Sequence, residues 1–312
     1  MTQLPVIALN QPGAAQALDD ALRTFGFFVL TEHGFPPERV DALMAQSRRF
    51  FALDEATKRR WHIDHSPYRH GFDPVGWQAL DPLQPPDLKE SFYLGAGRRA
   101  DDPIVLAGAL NQGPNQWPEE ALLPGFRAAA EAYAASAEQL VRRLLRLCET
   151  ALDLLRGHFD ASTRAPTCTL RLLHYPPQAE TAALAPGQLG CGAHTDWGAL
   201  TLLAQDDAGG LQVQLRSGEW IDVAPQPGSF IVNAGDMMPR WTNDRWHSAS
   251  HRVVNRRAGN ERFSIAYFFD LDHDALIEPL PGCVTPAHPT RYAPVLAGEH
   301  LLEQYRRTTV KG

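Results

Sequence analysis

The chain has 312 residues and a formal charge of −7, from 29 Lys and Arg against 36 Asp and Glu mixed along its length, which argues against nucleic acid or an anionic membrane as its main partner. No apolar run reaches the roughly 18 residues of a membrane span, and Met1-Thr2-Gln3-Leu4-Pro5 has neither the basic opening nor the apolar core of a secretory leader. Cys148, Cys168, Cys191 and Cys283 form no CxxC pair and read as reduced buried thiols, so a cytoplasmic protein, monomeric or weakly homo-oligomeric, is expected.

In chain order, Pro5 to Asn10 alternates weakly and predicts a short strand. Ala14 to Thr24 carries apolar residues at helical spacing. Gly26 to Leu30 is an apolar, aromatic strand, turned by His33-Gly34-Phe35-Pro36. Pro37 to Leu53 is a second amphipathic helix, with Pro37 suited to its first turn. Trp61 to Pro86 reads as an irregular loop. Its His62-Ile63-Asp64-His65, with His70 nearby, has metal-ligand residue types but lacks a rigid strand to present them, so a lid over a substrate suits the segment better. Asp87 to Leu94 reads as structural, with Lys89 and Glu90 paired and Phe92 packed. Pro103 to Pro118 is a loop, and Pro124 to Arg156 is a long helix whose Leu and Ala stripe faces a core.

From Thr167 the pattern changes to strands. Thr167 to Tyr175 alternates, and Pro176 to Gly190 is a loop. Then follow Gly192 to Asp196, Leu200 to Gln205, Leu211 to Leu215, Trp220 to Val223, Ser229 to Val232, His251 to Asn255 and Phe263 to Asp270. Asp206-Asp207-Ala208-Gly209-Gly210, Ser217-Gly218 and Pro225-Gln226-Pro227-Gly228 punctuate them. Short strands at this spacing predict a sandwich or barrel. Glu299 to Arg307 reads as a closing helix. One unit over 1–312 is expected, with a mostly helical part at 1–160, a β core at 161–275 and a tail at 276–312.

The chemistry centres on His194-Thr195-Asp196. Residues i and i+2 of a strand point to the same face, so an extended His-x-Asp presents an imidazole and a carboxylate together. His251, in another β-like run, supplies a third ligand. Two His and one carboxylate on one face of a divalent metal leave the opposite positions open, the arrangement of non-haem Fe(II) oxygenases. Arg262-x-Ser264 repeats the spacing. A guanidinium and a hydroxyl then face the same way, and together they can grip a carboxylate. Cys191-x-x-His194 lacks the second close pair that structural zinc needs.

The ordered set His194, Asp196, His251, Arg262 and Ser264 resembles the isopenicillin N synthase-like branch of the Fe(II)/2-oxoglutarate-dependent dioxygenases. Gly235-Asp236-Met237-Met238, Arg240-Trp241-Thr242-Asn243, Gly26-Phe27-Phe28-Val29-Leu30, His33-Gly34 and Asp87-Leu88-Lys89-Glu90-Ser91-Phe92 extend the resemblance over most of the chain. It implies a mainly β fold with flanking helices: a double-stranded β-helix (jelly-roll) barrel with a helical N-terminal part, the family's dioxygenase N-terminal region. It also implies Fe(II) on His194, Asp196 and His251, with 2-oxoglutarate as co-substrate, its distal carboxylate on Arg262 and Ser264 and Tyr175 helping to hold it. O2 is the second co-substrate, and a small-molecule metabolite is hydroxylated or desaturated as succinate and CO2 form. Many plant relatives carry Asn two positions before that Tyr; Leu173 stands here, which alters one co-substrate contact.

The resemblance leaves a rival within the branch, an oxidase of the isopenicillin N synthase or aminocyclopropane-carboxylate oxidase kind that uses iron without 2-oxoglutarate. A rival of another class is a non-catalytic jelly-roll sensor of a metal or small acid. A substrate pocket is expected between the Trp61–Pro86 loop, the segment near Phe92, and Leu173 and Met238. His174 should face away from Tyr175, His247 should lie at the surface, and Arg252 should brace the barrel.

Overall fold

In the computed structural model, described for residues 2–80, 84–177, 187–254 and 260–308, the order of elements opens with β1 (Val6–Ala8), α1 (Ala14–Thr24), β2 (Phe27–Thr31), α2 (Pro37–Phe51) and α3 (Glu55–Lys58). Then come β3 (Gly71–Asp73), β4 (Glu90–Gly95), α4 (Pro103–Leu106) and α5 (Phe126–Ala151). The β-rich half holds β5 (Cys168–Tyr175), β6 (Cys191–His194), β7 (Leu200–Gln205), β8 (Leu211–Gln214), β9 (Trp220–Asp222), β10 (Phe230–Ala234), α6 (Met237–Trp241), β11 (His251–Val253) and β12 (Arg262–Phe269). A small pair, β13 (Leu276–Ile277) and β14 (Val295–Leu296), precedes α7 (Ala297–Thr308). Among the described residues, no helix is long and apolar enough to cross a membrane.

Two sheets make the jelly roll. The larger runs β1-β2-β10-β7-β12-β5-β4-β3 and the smaller β6-β11-β8-β9. Among the described strands, β1–β2 is the one parallel pair. The N-terminal strands extend the large sheet at one edge, and β3 and β4 extend it at the other. The expected mainly β barrel with flanking helices is what the chain forms.

The large sheet is buried on both faces, which is why its strands read as near-continuous apolar runs. Its outer face, with Leu170, Leu172, Leu202, Ile265 and Phe269, packs with α1, α2 and α5 in one core. On α5, Leu140, Val141, Leu144, Leu145 and Cys148 recur at helical spacing and turn toward that core. The inner face, with Val29, Leu173, Tyr175 and Ile231, meets Leu211, Val213 and Val253 of the small sheet in a second core.

Some expectations change. Gly71–Asp73, read as loop, is an edge strand paired with Ser91–Tyr93, and Pro103–Leu106 is a short helix with Pro103 in its first turn. Phe92 pairs with Leu172 and faces the helices, where it meets Phe50 and Phe126. Met238 is fully buried in the same outer core. Neither residue lines a cavity inside the barrel. Asn255 and most of the Pro176–Gly190 loop fall outside the described residues.

Asp19 of α1 fixes the connection that leads into β11. Its buried carboxylate accepts hydrogen bonds from Trp246 Nε1 (2.7 Å), Arg245 Nε and Nη2 (3.0 Å each) and Arg23 Nε (2.7 Å). Burial alone would raise its pKa, but Arg245, Trp246 and Arg23 outweigh burial and hold it below 3.8. Removing Asp19 leaves the buried Trp246 Nε1 and the partly exposed Arg245 without their acceptor. Asp19→Ala is therefore expected to cost about 1–3 kcal/mol in urea unfolding. The contribution should be complete above the unfolded carboxyl's pKa and fade as pH falls through the lower folded value. An unchanged urea midpoint at pH 7 would refute this role.

Candidate active site

His194 ends β6 and His251 opens β11, and the two residues are direct cross-strand partners. Their ring centroids stand 4.2 Å apart. The small sheet thus presents two imidazoles side by side into the barrel. Asp196 lies just past β6 and turns back to meet them. Its Oδ1 is 3.9 Å from His194 Nε2 and 3.7 Å from His251 Nε2. The three ligand atoms all lie within 4.8 Å of one another, close enough for one ion to touch all three.

The partners of these groups set their protonation and aim. His194 Nδ1 lies 2.8 Å from Gly192 O and His251 Nδ1 3.4 Å from Ala249 O. A proton on each Nδ1 leaves the Nε2 lone pair for a metal. Thr201 Oγ1 (2.6 Å) and Asn233 Nδ2 (2.7 Å) donate to Asp196 Oδ2, so Oδ1 is the atom left facing the imidazoles. Burial pushes the His194 pKa down, and burial with the neighbouring His194 pushes His251 to about 4. Burial would raise Asp196, but His251, His194, Asn233 and Thr201 pull it below its usual value. Near neutral pH the set is two neutral rings and one carboxylate, the state a divalent cation requires.

The loop carrying Asp196 is held by close backbone approaches. A Cβ on Gly235 would fall 2.3 Å from Gly198 O, and one on Gly198 would fall 1.3 Å from Asp270 Oδ1. Gly235 N donates to Ala199 O and Asp236 N to Asp196 O, which stitches this turn to the end of β10. The motif Gly235-Asp236 therefore matters for the backbone under the ligands. On the other side of β6, Asp87 Oδ1 accepts from Gly192 N and the same carboxylate is paired with buried Lys89.

Arg262, Ser264 and Tyr175 meet on the inner face of the large sheet. Arg262 pairs with Tyr175 across β12–β5, and its guanidinium carbon lies 4.8 Å over the Tyr175 ring. Arg262 Nη1 donates to Ser264 Oγ at 3.0 Å and Nη2 to Gln205 Oε1 at 3.1 Å. Arg262 Nε and Gln205 Nε2 are buried donors without a hydrogen-bond partner among the described residues. Buried donors of this kind call for an acceptor, and a carboxylate supplies it. The donor set therefore fits the distal end of a dicarboxylic acid.

Residues that the sequence did not flag complete the site. Thr201 and Asn233 hold Asp196 and Gln205 holds Arg262; all three face inward from β7 and β10. At the mouth, Trp197 meets Tyr305 of α7 (ring centroids 5.7 Å apart), Arg69 lies 4.9 Å over Tyr305, and His300 Nε2 is 2.9 Å from Trp197 O. The closing helix of the tail thus packs on Trp197, beside the turn that carries Asp196. The Trp61–Pro86 loop divides: Trp61 is buried against Phe50, while His62 touches the half-exposed Trp77 and Gln78 reaches an inner-face arginine. His62, His65 and His70 do not join the metal-competent group.

Other expectations compare simply. His174 faces outward, with Nδ1 2.8 Å from Glu90 and its ring stacked on Phe263. His247 is half-buried rather than at the surface. Arg252 braces Gln212 and covers Trp220. Burial pushes the Cys191 thiol up to about 11, which keeps it protonated beside His194.

Two family models match this chain: the 2OG-Fe(II) oxygenase superfamily over residues 166–271, and the N-terminal region of non-haem dioxygenases in morphine synthesis over residues 4–120. The 2-oxoglutarate-Fe(II) type oxidoreductase hxnY of Emericella nidulans is 37% identical over 91% of this chain and 81% of its own length. The chain belongs to the 2OG-Fe(II) oxygenase superfamily. Homoarginine-6-hydroxylase of Glycine max is 33% identical over 94% of this chain and 89% of its own. Among solved structures, a full-length Neurospora crassa protein in complex with alpha-KG and thymine aligns with a TM-score of 0.84 at 29% identity, covering 97% of this chain and 96% of that one. The rice dioxygenase for auxin oxidation aligns with a TM-score of 0.76 at 28% identity, over 98% and 96%.

This oxygenase is thus an Fe(II)- and 2-oxoglutarate-dependent oxidoreductase that uses O2. The co-substrate-free oxidase and the non-catalytic sensor are not favoured. The partners of the ligands carry a prediction. Asn233→Leu should leave Asp196 free to turn and weaken Fe(II) binding about 10- to 100-fold, read by anaerobic metal titration. Iron affinity equal to wild type would remove Asn233 from the site.

Proposed function

We propose that His194, Asp196 and His251 hold the iron, that Arg262, Ser264 and Tyr175 seat the distal carboxylate of 2-oxoglutarate, and that the whole chain acts as one catalytic unit. When bound, iron with 2-oxoglutarate and O2 supplies an oxidant able to take hydrogen from an unactivated carbon, with succinate and CO2 as co-products. The observation that carries this reading is the alignment of the two clusters on one inner surface. Ser264 lies opposite Gln205 and Phe268 opposite Thr201, so the carboxylate cradle and the anchor of Asp196 share β7 and β12.

The protein's own contribution is positioning. Arg262 offers a fork of donors, Ser264 a hydroxyl, and the Tyr175 ring supports the guanidinium from below, so the co-substrate is held at its far end. With His194 and His251 neutral and Asp196 ionised, the three residues would hold a divalent metal from one side and leave room for the co-substrates. Leu173, opposite Ser264 on the inner face, is apolar and buried, which keeps water from the side of the cradle.

The substrate in this reading is a small-molecule metabolite that is hydroxylated or desaturated. The Neurospora relative was crystallised with thymine and the Glycine max relative is named for homoarginine, both small molecules. In this reading the enzyme is cytoplasmic, as its four free cysteines suit, and monomeric or weakly homo-oligomeric, and the acidic balance of charge disfavours a nucleic-acid or anionic-membrane partner. Arg262→Ala should weaken 2-oxoglutarate binding to the iron-loaded protein by about 10- to 100-fold, since it removes a charged donor pair. Calorimetry without oxygen measures this, with iron content unchanged as the control. A variant that binds 2-oxoglutarate as wild type does would place the co-substrate elsewhere.

A further inference from the structure

A second arginine, Arg171, stands on the same inner face and has no part in the iron or 2-oxoglutarate contacts above. The register fixes its place. Thr201 and Asn233, which hold Asp196, form one row across the sheet with Phe268. The next row is Leu203, Ala266, Arg171 and Tyr93. The row after it holds Gln205 and Ser264. Arg171 therefore sits at the level between the metal anchor and the carboxylate cradle, one strand to the side, with rows about 7 Å apart.

Its side chain is 9% exposed and points toward the edge formed by β4 and β3. The guanidinium carbon lies 4.4 Å over the Tyr93 ring. Nε donates to Ser91 Oγ (3.1 Å), and Nη2 to Ser91 Oγ (2.9 Å) and Gln78 Oε1 (3.0 Å). These acceptors are neutral. Nη1 has no hydrogen-bond partner among the described residues. The nearest carboxylate, Asp73 Oδ2, stands 3.7 Å from Nη2, outside hydrogen-bond reach. Burial raises the Asp73 pKa and Arg171 pulls it down, so the two form an ion pair without a direct hydrogen bond. Beside Asp73 the guanidinium keeps an unused donor edge at Nη1, and a carboxylate is the acceptor that fits it.

We propose that Arg171 is the anchor for a carboxylate on the primary substrate, which is therefore a small organic acid. The proposal rests on the oxygenase reading above and assigns its substrate class. The two inner-face arginines divide the work: Arg262 takes the co-substrate's acid and Arg171 the substrate's. Gln78, on the described part of the segment after Trp61, accepts from the same guanidinium.

The test uses the full chain loaded with Fe(II) and 2-oxoglutarate without oxygen, and a panel of acids with their primary amides: benzoate and benzamide, phenylacetate and phenylacetamide, 3-phenylpropionate and its amide. Binding is read from the shift of the visible iron-to-2-oxoglutarate charge-transfer band. At least one acid should bind about tenfold or more tightly than its amide, the size of one charge-assisted contact. Arg171→Gln should erase that preference while 2-oxoglutarate affinity holds, and Arg171→Lys should restore part of it. A bracing role alone would weaken acid and amide alike. Three results overturn the proposal: no acid preference anywhere in the wild-type panel, including no binding; a preference that survives in Arg171→Gln; or a loss of 2-oxoglutarate affinity in that variant, which would make Arg171 a co-substrate contact. The wild-type ratio stands by itself if Arg171→Gln does not fold. Absence of the charge-transfer band before any acid is added would instead count against the oxygenase reading.

Discussion

The two hydrogen bonds on Asp196 Oδ2, from Thr201 and Asn233, are the constraint on which the site depends. Asp196 belongs to the turn after β6, in the small sheet, while both donors belong to the large one. The bonds therefore tie the two sheets together at the proposed metal site. They also decide which carboxylate oxygen faces the two imidazoles. A buried carboxylate is costly unless fully satisfied. The same bonds that make Asp196 tolerable keep Oδ1 aimed inward.

The division of faces on the large sheet carries the rest. Odd-numbered positions of β5 (Arg171, Leu173, Tyr175) look into the barrel and even ones look out to the helices. On β12 the same alternation sends Arg262 and Ser264 inward and Phe263 and Ile265 outward. The outer face is apolar and pays for folding by burial against α1, α2 and α5. The inner face shares that task only through the second core with the small sheet, and so has room for two arginines, a serine, a glutamine and the partners of Asp196.

The short-range features were legible in the sequence. His194-x-Asp196 and Arg262-x-Ser264 lie together because a strand repeats every two residues, and α1 spans the predicted Ala14–Thr24 because its apolar spacing is clean. Thr201, Asn233 and Gln205 were not legible. Their proximity to the ligands comes from the order β10-β7-β12-β5, which sequence spacing does not reveal. Phe92 was placed near a pocket because its segment runs beside the site; its parity, opposite Leu172, turns it outward. Gly71–Asp73 was missed because three residues after a Pro- and Gly-rich stretch carry no alternation of their own. The role of Tyr305 needed the return of α7 over Trp197, which no local pattern encodes.

The most direct test of the account is an anaerobic titration of 2-oxoglutarate into the protein with one equivalent of Fe(II), followed by visible absorption. The account predicts a metal-to-ligand charge-transfer band that rises to saturation in the wild type and is absent in His251→Ala, which should no longer retain the iron. A band of full intensity in His251→Ala, or no band in a wild-type protein that binds both iron and 2-oxoglutarate, would contradict it.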